Sequence, residues 1–134
     1  MDLFGQNFDL LQKSLDGLST RHKAISSNIA NVDTPGYKRR KVNFKEQLTK
    51  ALDGNNNLAI TDKSHISLNS RSISSVEPKV SIEEDTKIRS DGNNVSIDAE
   101  MANLAKNTLE YQATIKQLSN QFGRLNLVIK KGGK

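Results

Sequence analysis

The stretch that decides the reading runs Ser26-Ser27-Asn28-Ile29-Ala30-Asn31-Val32-Asp33-Thr34-Pro35-Gly36-Tyr37-Lys38-Arg39-Arg40-Lys41. It has the form of a helix end, a tight turn and a basic run. Asn31 to Thr34 are poor helix formers, Pro35 disfavours an α conformation at Thr34, and Gly36 supplies positive φ. Pro-Gly at the centre of a four-residue turn predicts type II geometry, with Thr34 and Tyr37 at its ends.

Upstream of that turn, Phe4, Phe8, Leu11, Leu15, Leu18, His22, Ile25 and Ile29 recur at alternating spacings of four and three. This is a heptad seam, interrupted once by a histidine, and it predicts a long amphipathic helix. Gly5 and Gly17 fall inside it, each costing about 1 kcal/mol relative to Ala, so its stability must come from a partner seam. His22 reads as a tolerated polar residue of the seam, because no metal-spaced cluster frames it.

A second seam lies at the far end of the chain. Met101, Leu104, Thr108, Tyr111, Ile115, Leu118, Phe122, Leu125 and Ile129 alternate spacings of three and four. Asp98 is the expected N-cap, and Lys130, Lys131 and Gly132-Gly133 suit the helix end. At ~1.5 Å per residue the two seams span roughly 38 and 42 Å, a matched pair. The expected fold is therefore mainly α: two long terminal heptad helices pairing as a coiled coil, joined by a softer middle.

In that middle, Asn43-Phe44-Lys45-Glu46 predicts a capping box opening a short helix over 43–53, with Asp53-Gly54 stopping it. Residues 58–96 then change character: serine recurs nine times between Ser64 and Ser96, and apolar residues stand singly. Period-two fragments at 65–68, 72–74 and 79–82 suggest short strands or a hairpin, in a segment otherwise irregular or mobile. The chain divides accordingly into 1–36 (helix and turn), 37–96 (basic run, short helix and Ser-rich middle) and 97–134 (second helix). The two ends form one assembly domain.

Composition excludes several functions. Across 134 residues hydrophobic content is 34% and aromatic content 4%, against an apolar norm of about 45–50%. A large independent core is not expected, and burial should require other chains. Without cysteine there are no disulfides or thiolate metal sites. The N-terminus lacks a positive segment followed by an apolar one, so no cleaved signal peptide is expected, and composition alone would suggest a cytoplasmic protein. No Gly-rich phosphate loop, nucleophile set or metal cluster is present, which argues against an enzyme, a cofactor or a metal. Glu83-Glu84-Asp85 reads as a charged loop. The net charge of +5 concentrates in residues 37–50, which hold six basic residues and one acidic. Lys38, Arg39, Arg40 and Lys41 are expected to make electrostatic contacts with acidic groups on neighbours; a nucleic-acid role is the weaker alternative, since no recognition motif accompanies them.

Asn28, Ile29, Ala30, Asn31, Thr34, Pro35, Gly36 and Tyr37 together resemble the motif of bacterial flagellar axial proteins, the rod, hook and hook-associated subunits. The C-terminal run Asp91-Gly92-Asn93-Asn94-Val95-x-Ile97-Asp98-x-Glu100-Met101-Ala102-x-Leu104-Ala105-x-Asn107-x-Leu109-x-Tyr111-Gln112 is similar to that of the proximal rod proteins of FlgB type. The resemblance covers 1–54 and 91–131 and is faint between them. It implies a structural subunit of the periplasm-crossing drive shaft in the flagellar basal body, exported by the flagellar type III apparatus and polymerised there. The implied partners are further copies, rod proteins of the FlgC, FlgF and FlgG types, and the FliE adaptor. It also implies that the two seams supply subunit packing, and that Leu3, Phe4 and Phe8 contribute to recognition by the export gate. On the heptads alone, a coiled-coil adaptor or secreted interaction protein remains the alternative.

Overall fold

The computed structural model describes residues 3–56, 73–84 and 88–132. Three helices and one small sheet make up the described chain: α1 (Leu3–Ala30), β1 (Arg40–Val42), α2 (Lys45–Asn56), a single 3-10 turn (Ile73–Ser75), β2 (Val80–Ile82) and α3 (Ile97–Gly132). No described helix is long and apolar enough to cross a membrane.

The two long helices pair antiparallel. Phe8 meets Phe122 edge to face with ring centroids 5.4 Å apart. Asn107 Nδ2 donates to the Leu18 carbonyl at 3.0 Å, and Asn28 reaches Glu100 at the opposite end. On α1, Leu11, Leu18 and Ile25 are the buried line of the predicted seam, seven residues apart. Leu15 and Ile29 are half-buried beside them, and His22 is exposed.

On α3 the inward face keeps only part of the predicted seam, Leu104 and Leu118, with Phe122 reaching Phe8 at its far end. The line that turns inward includes Glu100, Asn103, Leu104, Asn107, Glu110, Thr114, Leu118 and Gln121, all buried or half-buried. Met101, Thr108, Tyr111, Ile115, Phe122, Leu125 and Ile129 remain exposed, Ile115 at 44% and Ile129 at 71%. Heptad periodicity found the apolar stripe but not which surface would cover it.

A small core sits against α1, where Ala24, Val42, Phe44, Ala51 and Val76 close together with Leu48 at the edge. Gly17 makes this packing possible. A Cβ on Gly17 would lie 2.5 and 2.6 Å from Phe44 Cγ and Cε1, so the glycine is the seat of the Phe44 ring. What the sequence presents as a helix-weakening residue is a close-approach site.

The short helix forms where expected, with shifted ends. Leu48 N donates to the Phe44 carbonyl at 3.0 Å, so Phe44 is the N-cap residue and Asn43 instead continues the sheet, its N–H donating to Lys79 O at 3.3 Å. The helix passes through Asp53-Gly54 to Asn56. At α3, Glu100 N donates to the Ser96 carbonyl at 2.9 Å, which makes Ser96 the N-cap and puts Asp98 and Glu100 in the first turn. Carboxylates there complement the positive end of the helix dipole.

The fragment at 79–82 forms β2, but its partner is the basic run and not a neighbouring fragment. Arg40 pairs with Ile82, Lys41 with Ser81 and Val42 with Val80, antiparallel. Residues 73–75 form the 3-10 turn in place of the strand expected at 72–74. The fragment at 65–68 lies outside the described residues.

Candidate functional site: the locked Pro-Gly turn

At the end of α1 the last turn tightens, with Asn31 N donating to Asn28 O at 3.2 Å and Val32 N to Ile29 O at 3.3 Å. The Asn31 amide donates back to the Ser27 carbonyl at 2.7 Å, satisfying one of the orphan acceptors of the helix end. Thr34 Oγ1 in turn donates to Asn31 Oδ1 at 3.2 Å. Tyr37 N then donates to Thr34 O at 3.2 Å and Gly36 has φ +71°, as a type II turn requires.

A second glycine turn stands behind the first. Gly92 has φ +84°, and a Cβ there would lie 3.7 Å from Gly36 Cα. The Gly36 N–H donates to Asp91 O at 3.0 Å, and Lys38 Nζ donates to Gly92 O at 2.9 Å. Arg89 adds an ion pair to Asp33 at 3.2 Å and another to Asp91 at 3.3 Å.

Beneath both turns lies a polar core. Asn28, Asn93 and Glu100 are 0% exposed, deeper than any apolar side chain described. Such burial is tolerable only when each polar atom is bonded. Asn28 Nδ2 donates to Arg40 O and to Glu100 Oε2, both at 2.9 Å. Its Oδ1 accepts from Arg40 N at 2.8 Å and from Tyr37 OH at 3.2 Å. The Tyr37 hydroxyl also lies 3.1 Å from Ser27 Oγ. One asparagine thus ties the helix, the turn, β1 and α3.

Asn93 performs the same task from the other half of the chain. Its amide Nδ2 reaches the carbonyls of Asn31, Val32 and Thr34 at 3.0, 2.9 and 2.9 Å. Its Oδ1 accepts from Val95 N at 2.7 Å. Asn94 accepts from Arg39 N at 2.6 Å and donates to Glu83 O at 2.7 Å.

Arg39 completes the lock. Its Nε donates to Glu100 Oε1 at 2.7 Å and an Nη to Glu83 Oε2 at 3.1 Å. Burial disfavours its charge, but the hydrogen bonds to Glu100 and Glu83 outweigh that and hold its pKa above the usual arginine value. The acidic groups that Arg39 meets therefore belong to its own chain, as does the Glu83 carboxylate 3.7 Å from Lys41. Arg40 is bound through its backbone, with its side chain exposed.

The structure thus gathers Asn28, Asn31, Thr34, Gly36, Tyr37 and Arg39 into one site. Ile29 is half-buried, whereas Ala30 and Pro35 are exposed at its edge. Phe4 lies on α1 and Phe8 packs on Phe122, both remote from the turn. Sequence reasoning did not assign Asn93, Asn94, Glu83 or Glu100 to the site. Asn93, Asn94 and Glu100 enter only as letters of the C-terminal run, and Glu83 as part of a charged loop. The available signal was the recurrence of asparagine in both halves, at 28, 31, 93 and 94.

The chain matches the family described as "Flagella basal body rod protein" over residues 15–38, which hold the end of α1, the turn and Lys38. It is 36% identical over 135 residues to the flagellar basal body rod protein FlgB of Borrelia hermsii, covering 97% of this chain and 100% of that one. FlgB of Bacillus subtilis is 36% identical over 137 residues, with both chains covered in full. FlgB of Escherichia coli is 30% identical over 127 residues, covering 90% of this chain and 91% of that one. A motif resemblance confined to the two ends thus extends to near full-length similarity, and the chain belongs to the FlgB family of flagellar basal body rod proteins.

Proposed function

We propose that the chain is a non-enzymatic structural subunit of the proximal rod, exported by the flagellar type III apparatus and polymerised into the drive shaft across the periplasm. The observation that carries this reading is the uncovered apolar stripe of α3, from Met101 to Ile129, most of whose residues are exposed in the single chain. A stripe of that length on one helix is suited to neighbouring helices in a shared wall. Its partners there are further copies, rod proteins of the FlgC, FlgF and FlgG types, and the FliE adaptor. The locked turn carries the chain out of the helical wall at a fixed angle, so that every copy presents the same surface. Thin apolar content and the lack of cysteine suit passage through a narrow channel as an extended chain.

Deleting the chain in a flagellated host tests the reading. Hook assembly and motility should be lost while the cytoplasmic and inner-membrane rings persist, with recovery when the chain is restored. Hooks that assemble normally in the deletion strain would refute it.

A further inference from the structure

Beside the lock, a cleft of about 190 Å³ opens between α1, β1 and α3. Among the residues that line it are five basic ones, Arg21, Arg39, Arg40, Lys41 and Lys106, and one acidic, Glu100. Three of the cations are paired within the chain: Arg39 to Glu100 and Glu83, Arg21 to Glu110 at 3.2 Å, and Lys41 to Glu83 at 3.7 Å. Arg40 and Lys106 make no ion pair among the described residues. The charge of the wholly buried Glu100 is already offset by Arg39, and its other oxygen accepts from Asn28.

A concavity with an excess of one sign of charge focuses its field and draws in the opposite charge. The backbone that carries Arg40 is pinned on both its N–H and C=O by Asn28, so this side chain starts from a fixed point. We propose that the cleft is a socket for the carboxylate of an acidic side chain on a neighbouring subunit, held by Arg40 and Lys106. The inference rests on the assembly reading above and adds to it a charged contact distinct from the apolar stripe. A polyanion backbone fits less well: it needs cations along an open track, and the Arg39 guanidinium is already turned onto two carboxylates.

The test places a photo-cross-linking benzoylphenylalanine at position 106 or, separately, at position 115, in cells that build rods. Both positions should give covalent adducts, and the adduct from position 106 should map to a segment containing Asp or Glu. The double variant Arg40→Glu, Lys106→Glu should enter rods about tenfold less well, with the thermal midpoint of the purified chain unchanged, since both side chains are exposed. Adducts at 115 without any at 106, or normal incorporation of the double variant, would overturn the socket and leave the assembly reading standing. No adduct from either position would remove both. Binding of labelled duplex DNA that withstands about 200 mM salt and is lost in Lys106→Glu would put a phosphate in the socket and overturn the carboxylate.

Discussion

At the scale of single residues, polar side chains hold this chain in its bends. Glu100 accepts from Asn28 and Arg39 in complete burial. Removing it strands an amide and part of a guanidinium, and breaking a buried charged pair costs about 3–5 kcal/mol. Because Glu83 still holds Arg39, Glu100→Ala should fall near the lower end, measured as a loss of unfolding free energy in urea. Glu100→Gln, which keeps one acceptor oxygen, should cost less. Arg39 has a raised pKa, so its contribution is fully present below the ordinary arginine value and is lost only as pH rises through the higher folded one. The stability it provides should therefore be flat across neutral pH. Gly36 gives a cleaner test of backbone geometry: a Cβ there would touch nothing within 4 Å, yet φ is +71°. Gly36→Val should cost about 1–2 kcal/mol through the backbone alone, while Gly36→Asn, which tolerates that region, should cost much less. Thermal unfolding of the two variants would check the order. This turn was legible from Pro35-Gly36 because a type II turn is set by adjacent residues. The Asn28–Glu100 bond was not, because its partners stand 72 positions apart and no local pattern links them.

At the scale of elements, periodicity located α1 and α3 and the buried line of α1, but not which positions of α3 turn toward α1. The seam of α1 is largely buried, whereas α3 turns Glu100, Asn107 and Glu110 toward α1 and leaves Tyr111, Ile115 and Phe122 exposed. A repeat of three and four says that one stripe is apolar; it does not say whether the covering surface lies in the same chain. Phe122 shows the compromise, touching Phe8 with one edge while 47% of it stays exposed. Helix ends moved for a similar reason: Asn43 had a cap's chemistry but was recruited by the sheet, through its bond to Lys79. Gly17 was read as a weakness because a missing side chain gives no hint of what occupies its place. The Phe44 ring occupies it, so Gly17→Ala should destabilise by about 1–3 kcal/mol through overpacking. Gly17→Ala combined with Phe44→Leu should cost less than the sum of the two single changes, a coupling readable in a double-mutant cycle.

At the scale of the whole molecule, the two halves of the chain complete one another. The N-terminal segment supplies the turn, and Asn93, Asn94 and Glu100 from the C-terminal half hold it through bonds to its carbonyls and side chains. Internal satisfaction is therefore concentrated at the turn, and apolar exposure is concentrated along α3. That division suits a subunit whose shape is fixed internally and whose remaining burial comes from its neighbours, in keeping with an apolar content too thin for a large core. The direct measurement is the effect of Ile115→Asp on the purified chain and on the rod together. Ile115 is exposed, so the thermal midpoint should stay within the range of a neutral surface change, about 0.5 kcal/mol. In cells, rod incorporation and motility should be lost, because a charge would be buried against the next helix. Normal rods and full motility with Ile115→Asp would contradict the account, and so would a monomer that unfolds.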